Sequence, residues 1–232
     1  MSKKTKAQEL QEQLTWSAPH IGKDAPDHKE KAFKYCEGYK QFLNAGKTER
    51  ECVKEAVHML KKAGYKPFDR TASYEPGDKV YYVNRRKAII ATTFGKKPLS
   101  EGLHINGAHI DSPRLDLKPN PLYEKEDIAY FKTHYYGGLK KYQWTTIPLS
   151  LHGSVVKLDG TRVDICWGDD ENESCFCITD LLPHLAREQA SKPMAKAIEG
   201  ENLNVILGSR PYDADSDEKD LVKLNVMAVL NE

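Results

Sequence analysis

The feature that most limits the possible folds of this 232-residue chain is a change of hydrophobic period near residue 65. Before that point, apolar residues recur every three or four positions, as they do on one face of an α-helix. After it come short runs rich in β-branched and aromatic residues, bounded by turn residues, as in strands. The two patterns together predict a mixed α/β fold.

Two helices are predicted in the first part. One runs from Asp27 to Ala45, with Gly46 as its stop. The next begins at the capping box Thr48–Glu51, whose side chains bond end amides reciprocally, and it closes at Gly64 in the left-handed conformation. The apolar positions of the first helix are Ala32, Cys36, Tyr39 and Leu43, and the inner stripe of the second is Val53, Val57 and Leu60.

Strands are predicted at residues 80–84, 87–94 and 103–110, and their apolar runs suit a sheet covered on both faces by helices. Residues 113–168 are predicted to be rich in β-hairpins. Asp159-Gly160, between two apolar runs, is the clearest hairpin signal.

Residues 175–186 predict a strand that leads into a short helix. Asp215, with Glu218 three residues later, can cap a last helix. That helix runs to Glu232 without a stop signal, which indicates either an interrupted chain or a terminal helix that frays. Its predicted stripe is Leu221, Leu224 and Met227.

Composition excludes several classes of function. The chain has 35 Lys and Arg against 34 Asp and Glu, so its net charge of +1 gives no electrostatic case for nucleic acid or an anionic membrane. We find neither a signal peptide nor the ~18 consecutive apolar residues that a membrane span needs.

Five cysteines without a CxxC pair suit free thiols in a reducing cytoplasm. We expect Cys175 and Cys177 to be buried small residues rather than zinc ligands.

The segment richest in reactive side chains is residues 106–124. On the predicted strand, His109 and Asp111 point to the same side. His109 can give one ring nitrogen to a metal, and Asp111 can orient a ligand from outside the coordination shell. The alternative is that the histidine has only a structural role, with its ring nitrogens hydrogen-bonded, and lies beside a surface aspartate, which explains the same spacing.

Three motifs together resemble the aspartyl aminopeptidase and aminopeptidase I family of zinc metallopeptidases. They are GAHIDSPRL at 107–115, YYGGLKKYQW at 135–144 and DLLPHLA at 180–186. The resemblance implies that His109 is a ligand of a two-zinc centre, in which Mn or Co can replace Zn. It implies that Asp111 supports that centre and its catalysis, and that His184 contacts the substrate or the lid.

The same resemblance implies a domain organisation. Residues 1–112 would be the amino-terminal part of a catalytic domain, and residues 113–232 an inserted, incomplete, β-rich lid or dimerisation domain. The family's remaining ligands and its general-base glutamate lie farther along than this chain reaches. Two local departures are Thr145 after Trp144, where many relatives have an acidic-basic pair, and Glu188, where relatives often have histidine.

The predicted activity is zinc-dependent removal of single amino-terminal residues from peptides by a cytoplasmic homo-oligomer that associates through the lid domain. We expect the 232-residue chain alone to be inactive, since one ligand does not make a zinc centre. The alternative is a non-catalytic module that lacks the metal centre and acts by self-association. The coding sequence downstream of Glu232 discriminates between the two.

Overall fold

A computed structural model describes residues 4–16, 18 and 26–231 of the chain. The chain divides into two compact units, residues 1–98 and 99–232. Both units contain helices and small sheets, so the predicted mixed α/β class is confirmed. The predicted domain boundary after Ser112 stays a prediction, and Glu232 lies outside the described residues.

The described residues of the first unit form three helices and one three-stranded sheet. The helices are α1 (Lys6–Leu14), α2 (Pro26–Ala45) and α3 (Glu49–Lys62), and the strands are β1 (Lys66–Pro67), β2 (Lys79–Asn84) and β3 (Ala88–Thr93). Strand β2 is central, parallel to β1 and antiparallel to β3. The helices predicted from Asp27 and from Thr48, and the first two predicted strands, are therefore confirmed.

Helix α3 begins and ends as its sequence predicts. Thr48 and Glu51 form the reciprocal capping box. At the other end, the amide of Gly64 donates to Lys61 and that of Tyr65 donates to Leu60, which together satisfy two terminal carbonyls. Gly64 has φ +86°, a conformation that costs little only for glycine. Val53 is buried, and Val57 and Leu60 of the predicted stripe are half-buried.

The apolar positions of α2, among them Tyr39 and Leu43, are exposed. One prediction about burial in this unit is wrong. Strand β3 is not covered on both faces, since only Ile89 is half-buried and the other β3 residues are exposed. An apolar run predicts that a strand exists, but it does not predict which faces of the strand other elements cover.

The prediction of a strand at residues 103–110 is also wrong, because residues 102–113 have no regular secondary structure. Leu103 and Ile105 are exposed. A strand requires a neighbour that pairs with its backbone groups, and none of the described strands pairs with this segment.

The described residues of the second unit form two antiparallel sheets and three α-helices. One sheet has the order β4–β5–β8, and the other is the hairpin β6–β7. The strands are β4 (Arg114–Lys125), β5 (Ile128–Tyr136), β6 (Leu151–Val156), β7 (Arg162–Trp167) and β8 (Val205–Gly208), and the helices are α4 (Arg187–Ser191), α5 (Met194–Ala197) and α6 (Leu221–Asn231). The hairpin predicted at Asp159-Gly160 is confirmed as the β6–β7 turn, with Gly160 at φ +84°.

The core of this unit lies where the two sheets and the following chain meet. Leu203 is fully buried, and the rings of Trp167 and Phe176 pack edge to face with centroids 5.3 Å apart. Isolated bridges from Phe176 to Leu149 and from Cys177 to Ile206 connect the sheets. The buried members of the core are Phe131, Phe176, Ile178, Ile198, Leu203 and Val205.

The segment 175–186 forms these bridges and then a turn, and its short helix begins only at Arg187. The prediction for this segment is therefore wrong, because it contains two isolated bridges instead of a strand and the helix follows it. Cys175 is exposed and Cys177 is half-buried, so the expectation that both are buried is wrong.

Helix α6 exists as predicted but starts and packs differently. Asp215 does not cap it. Instead, a carboxylate oxygen of Glu124, on β4, accepts from the Lys223 amide in the first turn at 2.8 Å. Val222 is the buried residue, whereas Leu224 and Met227 of the predicted stripe are exposed. The helix is apolar on nearly all sides, so its period did not identify the packed side.

No helix in the described part of the chain combines the length and the apolar character needed to cross a bilayer.

Two glycine substitutions in the first unit should have opposite effects. Gly64→Ala should lower the free energy of unfolding by about 1–2 kcal/mol, because alanine is strained at φ +86°. Gly38→Ala, inside α2 with open space where the added methyl group would lie, should raise it by about 0.5–1 kcal/mol. Urea denaturation of both variants measures this, and a change of the same sign in both would contradict the assigned backbone conformations.

Candidate functional site

The irregular segment 102–113 is fixed to the second unit where it joins β4. Arg114, the first residue of β4, pairs with Tyr136, the last residue of β5. The Arg114 guanidinium lies 4.2 Å from the centre of the Tyr136 ring, within cation–π range. Its Nε also donates to Asp116 at 2.7 Å. The end of the segment therefore sits beside a tyrosine that is itself held in place.

Tyr136 anchors Asp111. Its hydroxyl donates to Asp111 Oδ2 at 2.6 Å. This hydrogen bond is the main cause that lowers the pKa of the Asp111 carboxyl, with smaller contributions from the Asp111 amide and from His109. Hydrogen bonds to the ionised form favour it, so Asp111 is a carboxylate at neutral pH.

Asp111 in turn orients His109. The ring Nδ1 of His109 lies 3.0 Å from the backbone oxygen of Asp111 and 3.3 Å from its Oδ1. Both oxygens can only accept, so Nδ1 carries the proton and donates it. The neutral ring then presents an unprotonated Nε2. The His109 side chain is 84% exposed, so this nitrogen is on a part of the molecule open to a ligand.

The arrangement fits the chemistry of a metal ligand. Metal-binding histidines usually donate their second ring N–H to a carboxylate or a carbonyl, which fixes the tautomer and raises the basicity of the other nitrogen. His109 and Asp111 provide this pairing within one short segment. The sequence predicted this pairing from the alternation of side chains along a strand, and that strand is absent. The two side chains nevertheless lie close together, as predicted.

His184 is placed differently. It lies in the exposed turn before α4, and the hydrogen bonds and ion pairs described for His109 and Asp111 do not include it. Glu188 lies in α4, with its carboxylate 3.6 Å from Lys192 Nζ. A role for His184 in contacting the substrate or the lid stays a prediction.

Sequence patterns did not reveal a further group of potential ligands, because His152 stands apart from other ligand types along the chain. In the described residues, His152, Cys166 and Asp169 each bring one ligand atom within 4.8 Å of the other two. Counting outwards from the Asp159-Gly160 turn places His152 opposite Cys166, so the hairpin register is the signal that could have revealed the pair.

The sequence also matches a known family. The model of a family described as aminopeptidase I zinc metalloprotease (M18) matches residues 42–232. A probable M18 family aminopeptidase 1 from Clostridium acetobutylicum is 52% identical over 198 residues, which are 84% of this chain and 42% of the relative.

Solved structures agree with the sequence match. The crystal structure of an M18 family aminopeptidase from Thermotoga maritima has a TM-score of 0.85 and 43% identity, and the match covers 94% of this chain and 47% of that one. Aminopeptidase I from Borrelia burgdorferi gives 0.75 and 35%, with 88% and 46% covered. The chain thus spans less than half the length of these relatives.

The protonation of His109 can be measured directly. In its neutral form, we expect the ring to carry its proton on Nδ1, because Asp111 offers two acceptors there. Asp111→Ala removes one acceptor and should lower the Nδ1–H population. Long-range ¹⁵N–¹H NMR reports the tautomer, with His184 in the same spectra as a reference ring. A His109 ring protonated mainly on Nε2 would contradict the geometry.

Proposed function

Because the chain belongs to the aminopeptidase I zinc metalloprotease (M18) family, we propose that the full-length protein is a zinc-dependent aminopeptidase that removes single amino-terminal residues from peptides. The single observation that carries the site assignment is the hydrogen bond from His109 Nδ1 to Asp111, which leaves Nε2 as the ligand atom.

In this proposal His109 holds one of two zinc ions. When bound, a pair of divalent ions lowers the pKa of a water molecule and polarises the scissile carbonyl. The residues of this chain act before that step. Asp111 keeps the His109 ring in one tautomer, and Tyr136 holds Asp111 ionised and in place.

Further ligands are required for this centre. A catalytic zinc usually has three protein ligands, and among the described residues His109 does not belong to any group of three close ligand atoms. The remaining ligands and the general base are therefore proposed to come from the part of the family's length that this chain does not span. Mn or Co in place of Zn is part of the same proposal. For the 232-residue chain alone we propose no turnover.

We also propose that the chain forms homo-oligomers through residues after Pro113, which is where the alternative of a non-catalytic assembly module would also act. The support is the exposed apolar surface of the second unit. Leu224 on α6 is 45% exposed, and Val156 and Leu158 are exposed at the tip of the β6–β7 hairpin. Covering apolar surface with a partner stabilises the association by roughly 25 cal/mol per Å².

The five free cysteines suit a reducing cytoplasm as the location of the protein.

His109→Ala and Asp111→Ala, made in the full-length chain that carries this segment, should differ in kind. Loss of the ligand His109 should remove or disorder one metal ion. Loss of Asp111, which acts through His109, should lower metal affinity or activity by about 10–100-fold. Metal content by elemental analysis, measured beside hydrolysis of aminoacyl-nitroanilides, tests both. Full metal occupancy in both variants would mean that His109 is not a ligand, whereas unaffected hydrolysis would argue against the site altogether.

The oligomer proposal is tested on the 232-residue chain. We expect a defined dimer or larger species by light scattering after size exclusion, and Leu224→Glu should shift it towards monomer. The control is Leu43→Glu on α2, where a leucine of matched exposure, 46% against 45%, lies before Pro113. A monomer at all concentrations, or an equal effect of the two variants, would be evidence against association through the second unit. Polydispersity would indicate aggregation instead.

A further inference from the structure

The β6–β7 hairpin brings a histidine and a cysteine together at its open end. His152 on β6 and Cys166 on β7 are directly opposite each other in the antiparallel register. Side chains of opposite residues in such a pair lie on the same face, close enough to contact the same bound ion. The hairpin turn at Gly160 fixes this register, so the pairing depends on local structure.

A third ligand is added by the turn that follows β7. Gly168 has φ +97°, and a side chain there would come within 3.3–3.4 Å of the Leu149–Ser150 backbone. Only glycine suits this conformation and this close approach. The turn places Asp169 beside the hairpin, with its carboxylate near both His152 and Cys166.

The distances from the Asp169 carboxylate to the other two ligand atoms suit a bound ion. His152 Nε2 is 3.4 Å from the Asp169 carboxylate oxygens, and Cys166 Sγ is 3.7 Å from Oδ2. An N···O distance of 3.4 Å is long for a hydrogen bond. Zinc bond lengths in tetrahedral geometry place N and O ligands about 3.3–3.5 Å apart, and S and O ligands about 3.5–3.6 Å apart. The observed distances are close to these values.

The chemistry of the group is that of a zinc site. Imidazole nitrogen, thiolate sulfur and carboxylate oxygen are the three ligand types that zinc takes from proteins. The His152 side chain is only 9% exposed, whereas Asp169 is 37% exposed, so the ring is held firmly and the ion can enter from the carboxylate side. Ser150 Oγ, 2.9 Å from His152 Nε2, is hydrogen-bonded to the nitrogen that would bind the ion and must turn away from it.

We propose that His152, Cys166 and Asp169 bind one zinc ion at the open end of the β6–β7 hairpin. The site includes neither His109 nor Asp111 and does not depend on the proposed peptidase activity. On binding, the Cys166 thiol releases its proton to solvent, and the ion is held by N, S and O with a fourth position for water. The acidic loop from Asp169 to Glu173 favours the cation by charge.

The test measures the reactivity of Cys166 in the 232-residue chain. Alkylation by iodoacetamide is followed for each cysteine by peptide mass spectrometry, with and without an equimolar amount of Zn²⁺. Zinc should slow the modification of Cys166 by about tenfold or more, because the bound thiolate is no longer available. Cys36, which is exposed and belongs to the first unit, should be modified at an unchanged rate.

Matched variants then assign the ligands. Asp169→Asn, an isosteric change at a partly exposed position, should abolish the zinc protection of Cys166. Asp170→Asn, the adjacent residue whose carboxylate accepts from Asn172, should leave it intact. His152→Ala should also abolish protection, but the ring is buried, so Asp169→Asn decides the question if His152→Ala fails to fold.

A second measurement does not involve alkylation. Co²⁺ should give a thiolate-to-metal charge-transfer band that is lost in Cys166→Ser and kept in His109→Ala. Absence of zinc protection and of this band in the unmodified chain would identify the group as a hydrogen-bonded polar cluster and overturn the proposal. Protection that persists in Asp169→Asn would overturn the ligand assignment.

Discussion

The second unit depends on strand β5, which is paired on both edges and supplies buried residues to the core. Ala129 is fully buried, and Thr133 is buried while its hydroxyl donates to the Leu203 carbonyl. A buried hydroxyl must keep such a partner, since leaving it unsatisfied costs about 1–3 kcal/mol. The last residue of the same strand, Tyr136, holds Asp111. The orientation of His109 thus rests, through Asp111, on the pairing of β5 with β4 and β8.

Sequence patterns predicted the parts of the fold that are determined within a few residues. The capping box at Thr48, the left-handed Gly64 and the turn at Gly160 each act through adjacent backbone groups. The patterns failed where a distant partner decides the outcome. Residues 103–110 have a strand-like composition, but no described strand pairs with them. Helix α6 is apolar on nearly all sides, and an amide in its first turn donates to Glu124 on β4, about a hundred positions earlier in the chain.

The candidate site likewise combines residues that sequence patterns identified with residues that only the folded structure brings together. The motif around His109 and Asp111 identified two residues whose side chains are indeed adjacent. Tyr136 could not have been inferred from it, because the hydroxyl comes from the far end of the next strand. His152 and Cys166 present the opposite case, since the hairpin register alone brings them together. Only the contribution of Asp169 required the structure, because it follows from the turn at Gly168.

The two metal-binding assignments differ in how their ligands are assembled. All three ligands of the hairpin site lie within residues 152–169, so little chain entropy is lost when the ion joins them. The proposed His109 site has one candidate ligand on an irregular segment, and the proposal takes the other ligands from the part of the family's length that this chain does not span. Zinc binding to the hairpin is therefore expected without completion of a catalytic centre. It would also couple the β6–β7 pairing to zinc concentration, since an ion that binds only the folded hairpin stabilises it by mass action. The exposed Val156 and Leu158 are carried by that hairpin, so the surface proposed for self-association would be ordered by the same ion.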